Sequence, residues 1–439
     1  MKHPGLAAAD EKMRAAGVPE AARRAFGDLY EQLVSGESFE LPGDELEPVE
    51  SIRSLDDIRE DAPPEMLDRA VLIKLNGGLG TSMGLHAPKS LIEVKPRHSF
   101  LDLSVRQVLA LRRTHGARLP LVLMNSFSTQ AATLAALVAY RDLEVDVPVD
   151  FLQNREPKLR ADDLHPMDWP ADRALEWCPP GHGDLYAALL GSGMLDALLA
   201  QGYRYTFVSN VDNLGAVLEP RILGLMAREQ LPFVMEVVEG TAADRKGGHI
   251  ARRDGRLVLR ETAQVPDGDE SFADYRRWRY FNTNSLWIDL EALRERGVPR
   301  LPLIVNRKTV DPSDGSTPHV LQLETAMGAA LSSIEGAQAV AVPRARFAPV
   351  KTTNELLVVR SDAYALRDED ARLEIAPARR QPTPPVVDLD PRFYKLLPDF
   401  ESRFPAGPPS LVGAERLTVR GDVTFAAGTV VSGEAEIEA

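Results

Sequence analysis

The stretch Val71-Leu-Ile-Lys-Leu-Asn-Gly-Gly-Leu-Gly-Thr-Ser-Met-Gly84, followed closely by Pro88-Lys89-Ser90, carries the reading of this chain. Val71 to Leu75 is an apolar run that reads as a buried strand, and it enters Gly77, Gly78, Gly80 and Gly84 directly. Glycines let backbone N–H groups approach a polyphosphate with no Cβ in the way. Lys89 brings a full positive charge to the same loop. Two familiar phosphate motifs nearly fit and then fail. Pro88 occupies the second glycine position of a P-loop, and Gly84 stands one residue too close to Lys89. Gly78-Leu79-Gly80 opens like a dinucleotide fingerprint, but Met83 takes the place of its third glycine. Kinase and dehydrogenase readings are therefore poor. The plain alternative is an ordinary tight turn between strand and helix.

Outward from this loop, short β-prone runs alternate with helical ones. Pro120–Asn125, Tyr205–Ser209, Pro232–Val238, Asn284–Ile288 and Ala339–Val342 read as strands. Leu101–Arg113, Thr129–Tyr140, Asp184–Ala200 and Val320–Leu331 read as helices. The alternation predicts an α/β domain with a mixed, mostly parallel central sheet, whose ligands sit beyond the carboxyl ends of the strands. Ahead of it, Ala7–Leu33 reads as one or two helices and Pro42–Pro64 as an irregular acidic lead-in. Pro382, Pro384 and Pro385 mark a break, and the short β-prone pieces of Leu417–Glu438, spaced by Gly421, Gly428 and Gly433, resemble a coil of β-helix. The expected division is a helical segment over 1–64, a catalytic domain over 65–380 and a C-terminal domain over 381–439.

The 439 residues are 44% hydrophobic and 26% charged, ordinary values for a globular protein. The formal net charge of -14 argues against a nucleic-acid partner, which needs a basic face. No apolar run reaches the ~20 residues of a membrane span, and Met1–Asp10 lacks the layout of a secretory signal. The lone Cys178 excludes an internal disulfide and a multi-thiolate metal site. The expected location is cytoplasmic, without membrane attachment.

Leu75-Asn-Gly-Gly-Leu-Gly-Thr-Ser-Met-Gly84 with Pro88-Lys-Ser90 resembles the nucleotide loop of the UTP–glucose-1-phosphate uridylyltransferases. Further segments resemble the same family in the same order. They are Leu123–Phe127, Pro179-Pro-Gly-His-Gly-Asp184, Phe207-Val-Ser-Asn-Val-Asp-Asn-Leu-Gly215, Lys246–Gly248, Ala263–Pro266, Phe281–Asn284, Gln322–Thr325 and Pro343–Thr353. Any one is weak, whereas the ordered set is specific. The resemblance implies a Rossmann-like nucleotidyltransferase fold with a short left-handed β-helix at its end. It also implies transfer of the uridylyl group of UTP to glucose 1-phosphate, giving UDP-glucose and pyrophosphate, with Mg²⁺ as cofactor.

Carried over residue by residue, the resemblance places Leu75, Asn76, Gly77, Gly78, Lys89, Gln153, Gly181 and Asp212 against UTP. An amide such as Gln153 suits the mixed donor and acceptor edge of uracil. Asp212 lies just past the carboxyl end of the strand Tyr205–Ser209, and the resemblance gives it the metal. His182, Asn210, Gly248, Glu261 and Asn284 are the implied sugar phosphate contacts. Lys89 and Lys351 are the implied catalytic cations, Lys351 aimed at the α-phosphate. The plain alternatives are an Asp-Asn turn for Asp212, a helix N-cap for Asp184, a structural histidine and a solvated surface lysine. Cys178 has no base partner in sequence and reads as incidental.

The chain departs from the family pattern at Leu85-His-Ala87, at Cys178 and at Arg307, none of which removes an implied charge. Its tail is shorter than in many members, some of which assemble through it, so a homo-oligomer is an expectation left open. Two alternatives also stay open: a uridylyltransferase for another sugar 1-phosphate, and a catalytically silent UTP or UDP-sugar sensor.

Overall fold

In the computed structural model, which describes residues 3–439, ten strands form a mixed central sheet. In chain order they are β1 (Glu47–Pro48), β2 (Ala70–Asn76), β3 (Leu121–Asn125), β4 (Asp150–Leu152), β5 (Tyr205–Asn210), β6 (Phe233–Glu239), β7 (His249–Arg253), β8 (Arg256–Arg260), β9 (Tyr280–Asp289) and β10 (Gln338–Ala341). They are ordered β1-β7-β9-β5-β2-β3-β4, with β6 beside β9 and β10, and β8 beside β7.

The expectation of a mostly parallel sheet fails around β9. That strand runs antiparallel to both β5 and β6, and only β10 is parallel to β6. Parallel neighbours need a long crossover, usually a helix. Here β7 returns as β8 through Asp254 and Gly255, both at positive φ (51° and 75°), which is a tight hairpin turn.

The chain gathers into two compact units. The first comprises the chain through Ile73, Asp146–Val208 and Glu219–Val342. Its leading helices, Pro4–Ala15 and Glu20–Ser35, bury Leu6, Met13, Phe26 and Tyr30 against Leu159, Ala187, Leu321 and Leu323. The single helix expected over Asp184–Ala200 is two, Leu185–Gly191 and Met194–Ala200, because Gly193 takes φ 80° between them. The helix expected over Val320–Leu331 is instead a strand through Glu324, followed by a loop and two short helical turns. His319–Glu324 pairs antiparallel with Ile304–Thr309, and only Ala330–Ser333 is α-helical. Val320 to Leu323 are buried without alternation, and periodicity cannot separate such a run from a helix.

The second unit comprises Lys74–Val145, Ser209–Leu218 and Pro343–Ala439. Its helix Phe100–His115 starts in a Ser99–Asp102 capping box and stops at Gly116, φ 65°. The helix Thr353–Arg360 is set by a second box, Thr352–Glu355, and buries Leu356 and Leu357 among Phe100, Tyr394 and Phe400. The last strands, β11 (Val386–Leu389), β12 (Ser410–Arg420) and β13 (Val430–Glu438), are parallel throughout. Among the described residues no single helix is long and apolar enough to cross a membrane.

Candidate active site

The second unit holds the expected catalytic lysines and Asp212. The glycine-rich loop folds back on itself. Lys89 N–H donates to the Gly78 carbonyl (3.2 Å), and Leu85 N–H donates to the Gly80 carbonyl (3.0 Å). A Cβ on Gly80 would fall 2.7 Å from the Leu85 side chain, which would have to move to admit one. Gly78 is exposed and open, which suits a backbone that must meet a ligand. The fold-back puts Lys89 within reach of Asp212, and their side chains form an ion pair. Asp212 Oδ2 takes that bond, while Oδ1 is buried with no partner.

Asn213 fixes the segment carrying the second lysine. Its Nδ2 donates to the Arg346 carbonyl (3.1 Å), and its Oδ1 accepts from Ala348 N–H (3.0 Å). Val350 N–H donates to the Asp212 carbonyl (3.3 Å), so exposed Lys351 begins one residue from the backbone of Asp212. Thr352 opens the capped helix immediately afterwards. A cation beside a helix N-terminus makes a favourable place for a phosphate.

Asn76 is buried, and its amide serves the fold. Nδ2 donates to Asn125 Oδ1 (2.7 Å) and Thr133 Oγ1 (2.9 Å), so only its backbone and its unpartnered Oδ1 remain for a ligand. Buried Lys74 donates to Ser209 Oγ and to the Ala216 carbonyl, both at 2.8 Å, tying the strand before the loop to the turn that holds Asp212. Val211 N–H donates to the Leu75 carbonyl (3.2 Å) in the same tie. Asn210, at the end of β5, also belongs to this unit.

The first unit holds the expected residues Gln153, Gly181, His182, Gly248, Glu261 and Asn284. Gly181 takes φ 77°, and a Cβ there would lie 2.7 Å from the Thr325 carbonyl. Gly183 N–H donates to that carbonyl (2.8 Å), while Thr325 N–H donates to the Pro180 carbonyl (3.0 Å). His182 Nδ1 accepts from Met327 N–H (3.0 Å). Burial pulls its pKa down to about 4, so the ring is neutral at pH 7 with its proton on Nε2. It is therefore a hydrogen-bond donor without charge. Asp184 caps no helix N–H, contrary to the capping alternative. Its carboxylate turns to Asn154 and accepts from the backbone N–H (2.6 Å) and from Nδ2 (2.8 Å). Gln153, half-buried, directly precedes Asn154 at the end of β4. Cys178 is buried against Glu156, and burial raises its thiol pKa well above normal, which rules it out as a nucleophile at neutral pH.

Gly248, Glu261 and Asn284 come together in the same unit. A Cβ on Gly248 would lie 2.4 Å from a Glu261 carboxylate oxygen. Asn282 Nδ2 reaches Glu261 Oε1 (3.5 Å) and Asn284 Oδ1 (3.0 Å). Asn284 sits at φ 55° beside the register shift of β9 on β6, a bulge that re-aims its side chain.

A family model described as UTP–glucose-1-phosphate uridylyltransferase matches residues 23–432. The chain belongs to this uridylyltransferase family. The UTP–glucose-1-phosphate uridylyltransferase of Solanum tuberosum is 40% identical over 437 residues, covering 96% of this chain and 89% of that protein. A probable UTP–glucose-1-phosphate uridylyltransferase of Schizosaccharomyces pombe is 41% identical, covering 84% of this chain and 73% of its own length. The UDP-glucose pyrophosphorylase of Leishmania major, solved in open and closed forms, superposes with a TM-score of 0.94 at 45% identity. It covers 100% of this chain and 95% of that one. A mutant of the same Leishmania enzyme in complex with UDP-glucose superposes equally well, with a TM-score of 0.94.

Sequence reading of this uridylyltransferase missed Lys74, Asn213, Thr325 and the outward reach of Asp184. Lys74 left a signal, because a lysine inside an apolar strand must find partners when buried. Asn213 and Thr325 lay in quoted motifs, but their partners are distant in sequence and carried no local mark.

Proposed function

We propose that this chain joins UTP to glucose 1-phosphate, forming UDP-glucose and releasing pyrophosphate. The observation that carries the reading is the meeting of Lys89, Asp212 and the Lys351 segment beyond the carboxyl end of β5. Lys89 and the backbone of Leu75, Asn76, Gly77 and Gly78 receive the triphosphate, and Lys351 faces the α-phosphate. Gln153 and Gly181 receive the uracil nucleotide. Neutral His182 donates to the sugar phosphate, and Asn210, Gly248, Glu261 and Asn284 receive its hydroxyls.

A phosphate oxygen of glucose 1-phosphate attacks the α-phosphorus of UTP in line as the bond to the leaving pyrophosphate breaks. The attacking phosphate is already ionised near neutral pH, so no general base is required. The two lysines offset the charge that accumulates in the transition state. Asp212, with its orphaned buried Oδ1, is the residue suited to Mg²⁺. Among the described residues no group of three or more His, Cys, Asp or Glu could cage a metal, which fits an ion held by one carboxylate, phosphates and water. Bound there, Mg²⁺ would neutralise phosphate charge.

The parallel register of β12 on β13 supports reading the C-terminal strands as one short β-helical coil. A cytoplasmic site of action belongs to the same reading.

The test is product formation from UTP, glucose 1-phosphate and Mg²⁺, followed by chromatography. UDP-glucose and pyrophosphate in equal amounts are expected. Equal rates with ATP or GTP would overturn the uridine assignment. Efficient use of other sugar 1-phosphates would overturn the glucose assignment, and binding of UTP without turnover would make the chain a sensor.

A further inference from the structure

We propose that Asp184 is a positioning residue that ties the uracil-reading segment at Gln153 to the turn that carries His182, the sugar phosphate contact. This inference rests on the substrate roles given above.

Asp184 ends the turn that carries Gly181 and His182, yet it gives nothing to the helix that follows it. Its two oxygens instead accept both donors of Asn154, at 2.6 and 2.8 Å, and Asn154 is the neighbour of Gln153. Both residues are buried, Asp184 to 5% exposure and Asn154 to 9%. A backbone N–H is one of the two donors, so the contact fixes the main chain after Gln153 as well as one side chain. The other side of the turn is already held by Thr325 and Met327. The carboxylate bridge therefore couples the main chain beside Gln153 to the turn that carries His182.

The bridge needs an anion. An ionised carboxylate offers acceptors to both donors, whereas a protonated one gives up an oxygen lone pair. Burial opposes that charge and lifts the Asp184 pKa to about 7. Glu156 is close behind it, buried, and its carboxyl is held well above the usual glutamate range by burial and by the charges of Asp184 and Glu324. The other ionisable groups facing this region are Cys178 against Glu156, His182 in the turn, and Asp28, Arg155 and Arg300 around the adjoining cavity. The two Asn154 donors work against burial and favour the ionised form of Asp184.

The experiment compares Asp184→Asn, Asn154→Ala and Glu156→Gln with the wild-type enzyme. The readouts are the UTP Kd, the glucose 1-phosphate KM and kcat, with Gln153→Ala and His182→Ala as references. Asp184→Asn is expected to weaken both substrates about tenfold, the loss of roughly one charge-assisted hydrogen bond. Asn154→Ala, which keeps the backbone donor, is expected to weaken both by less. Glu156→Gln is expected to change neither. The reference variants are each expected to weaken one substrate alone. The ratio of Asp184→Asn to wild type cancels titration of the substrates, and it should fall toward one between pH 8 and pH 6. A purely structural role would lower thermal stability without that pH-dependent ratio. Unchanged parameters in Asp184→Asn, or an effect on one substrate only, would overturn the proposal while leaving the substrate roles standing. Silent reference variants would overturn those roles and the proposal together. Should Asp184→Asn fail to fold, Asn154→Ala decides alone, and no effect on either substrate sinks the proposal.

Discussion

Lys89 donates to Oδ2 of Asp212, and the other oxygen of that carboxylate is buried without a partner. Each residue thereby neutralises the other. Each is also what a nucleotide with its metal would recruit: the lysine by phosphate, the carboxylate by a divalent ion. The pair marks a site prepared for exchange of partners, and the rest of the second unit is built to hold it. Lys74 and Asn213 brace the turn from both sides.

Lys89→Ala and Lys351→Ala should each cut kcat by about 10²-fold or more, the usual cost of losing one electrostatic contact to a transition state. Neither should move the melting temperature by more than about 2 °C, since partly exposed ion pairs add little stability. Steady-state rates beside thermal melts check this. Equal turnover in both variants would remove the lysines from the chemistry.

Asp212→Asn keeps the shape of the side chain and removes its charge. In the presence of UTP it should weaken Mn²⁺ binding, read by electron paramagnetic resonance, by about tenfold or more. Turnover should fall with it. Unaltered Mn²⁺ affinity would place the metal elsewhere.

Gly181→Ala must adopt φ 77° with a Cβ 2.7 Å from the Thr325 carbonyl. Strain of this kind costs roughly 1–3 kcal/mol, and relieving it rotates the turn that carries His182. Lower thermal stability and a raised KM for both substrates are expected. Gly248→Ala pushes only on the Glu261 carboxylate, so its KM increase should be confined to the sugar phosphate. A Gly248→Ala enzyme impaired toward UTP alone would contradict that placement.

The residues proposed to meet ligands were more legible in the sequence than the residues that brace them. Gly78, Lys89 and Gly181 announce themselves, because glycine beside a strand end and a lysine after it have few other uses. Their supports act over long sequence separations: Lys74 with Ala216, Asp184 with Asn154, Gly181 with Thr325. No local pattern encodes such pairs. The fold was legible wherever strands stood alone between helices. It failed where both faces of a strand are covered, as at Val320–Leu323, and where hairpins replaced crossovers, as at β7 and β8.

His249 is fully buried, stacked on Trp278, and neither ring nitrogen has a partner. Burial and the Arg260 charge hold its pKa down to about 3, from 6.5. The unfolded chain therefore binds a proton that the native chain refuses, and wild-type stability falls as pH drops below 6.5. Between pH 7.5 and pH 5 the stability difference should shift toward His249→Phe by about 2 kcal/mol, whatever the packing change costs. Denaturant melts at both pH values check it. A constant difference would mean that His249 finds a partner in solution.

The central claim is that the chain positions and neutralises its substrates but contributes no atom to the bond change. The most direct measurement is the stereochemical course with UTP made chiral at the α-phosphorus by a thio substitution. A single in-line attack by glucose 1-phosphate gives inversion at that phosphorus, and inversion is the expected result. Net retention would require two displacements and a uridylyl-enzyme intermediate, and it would contradict the account.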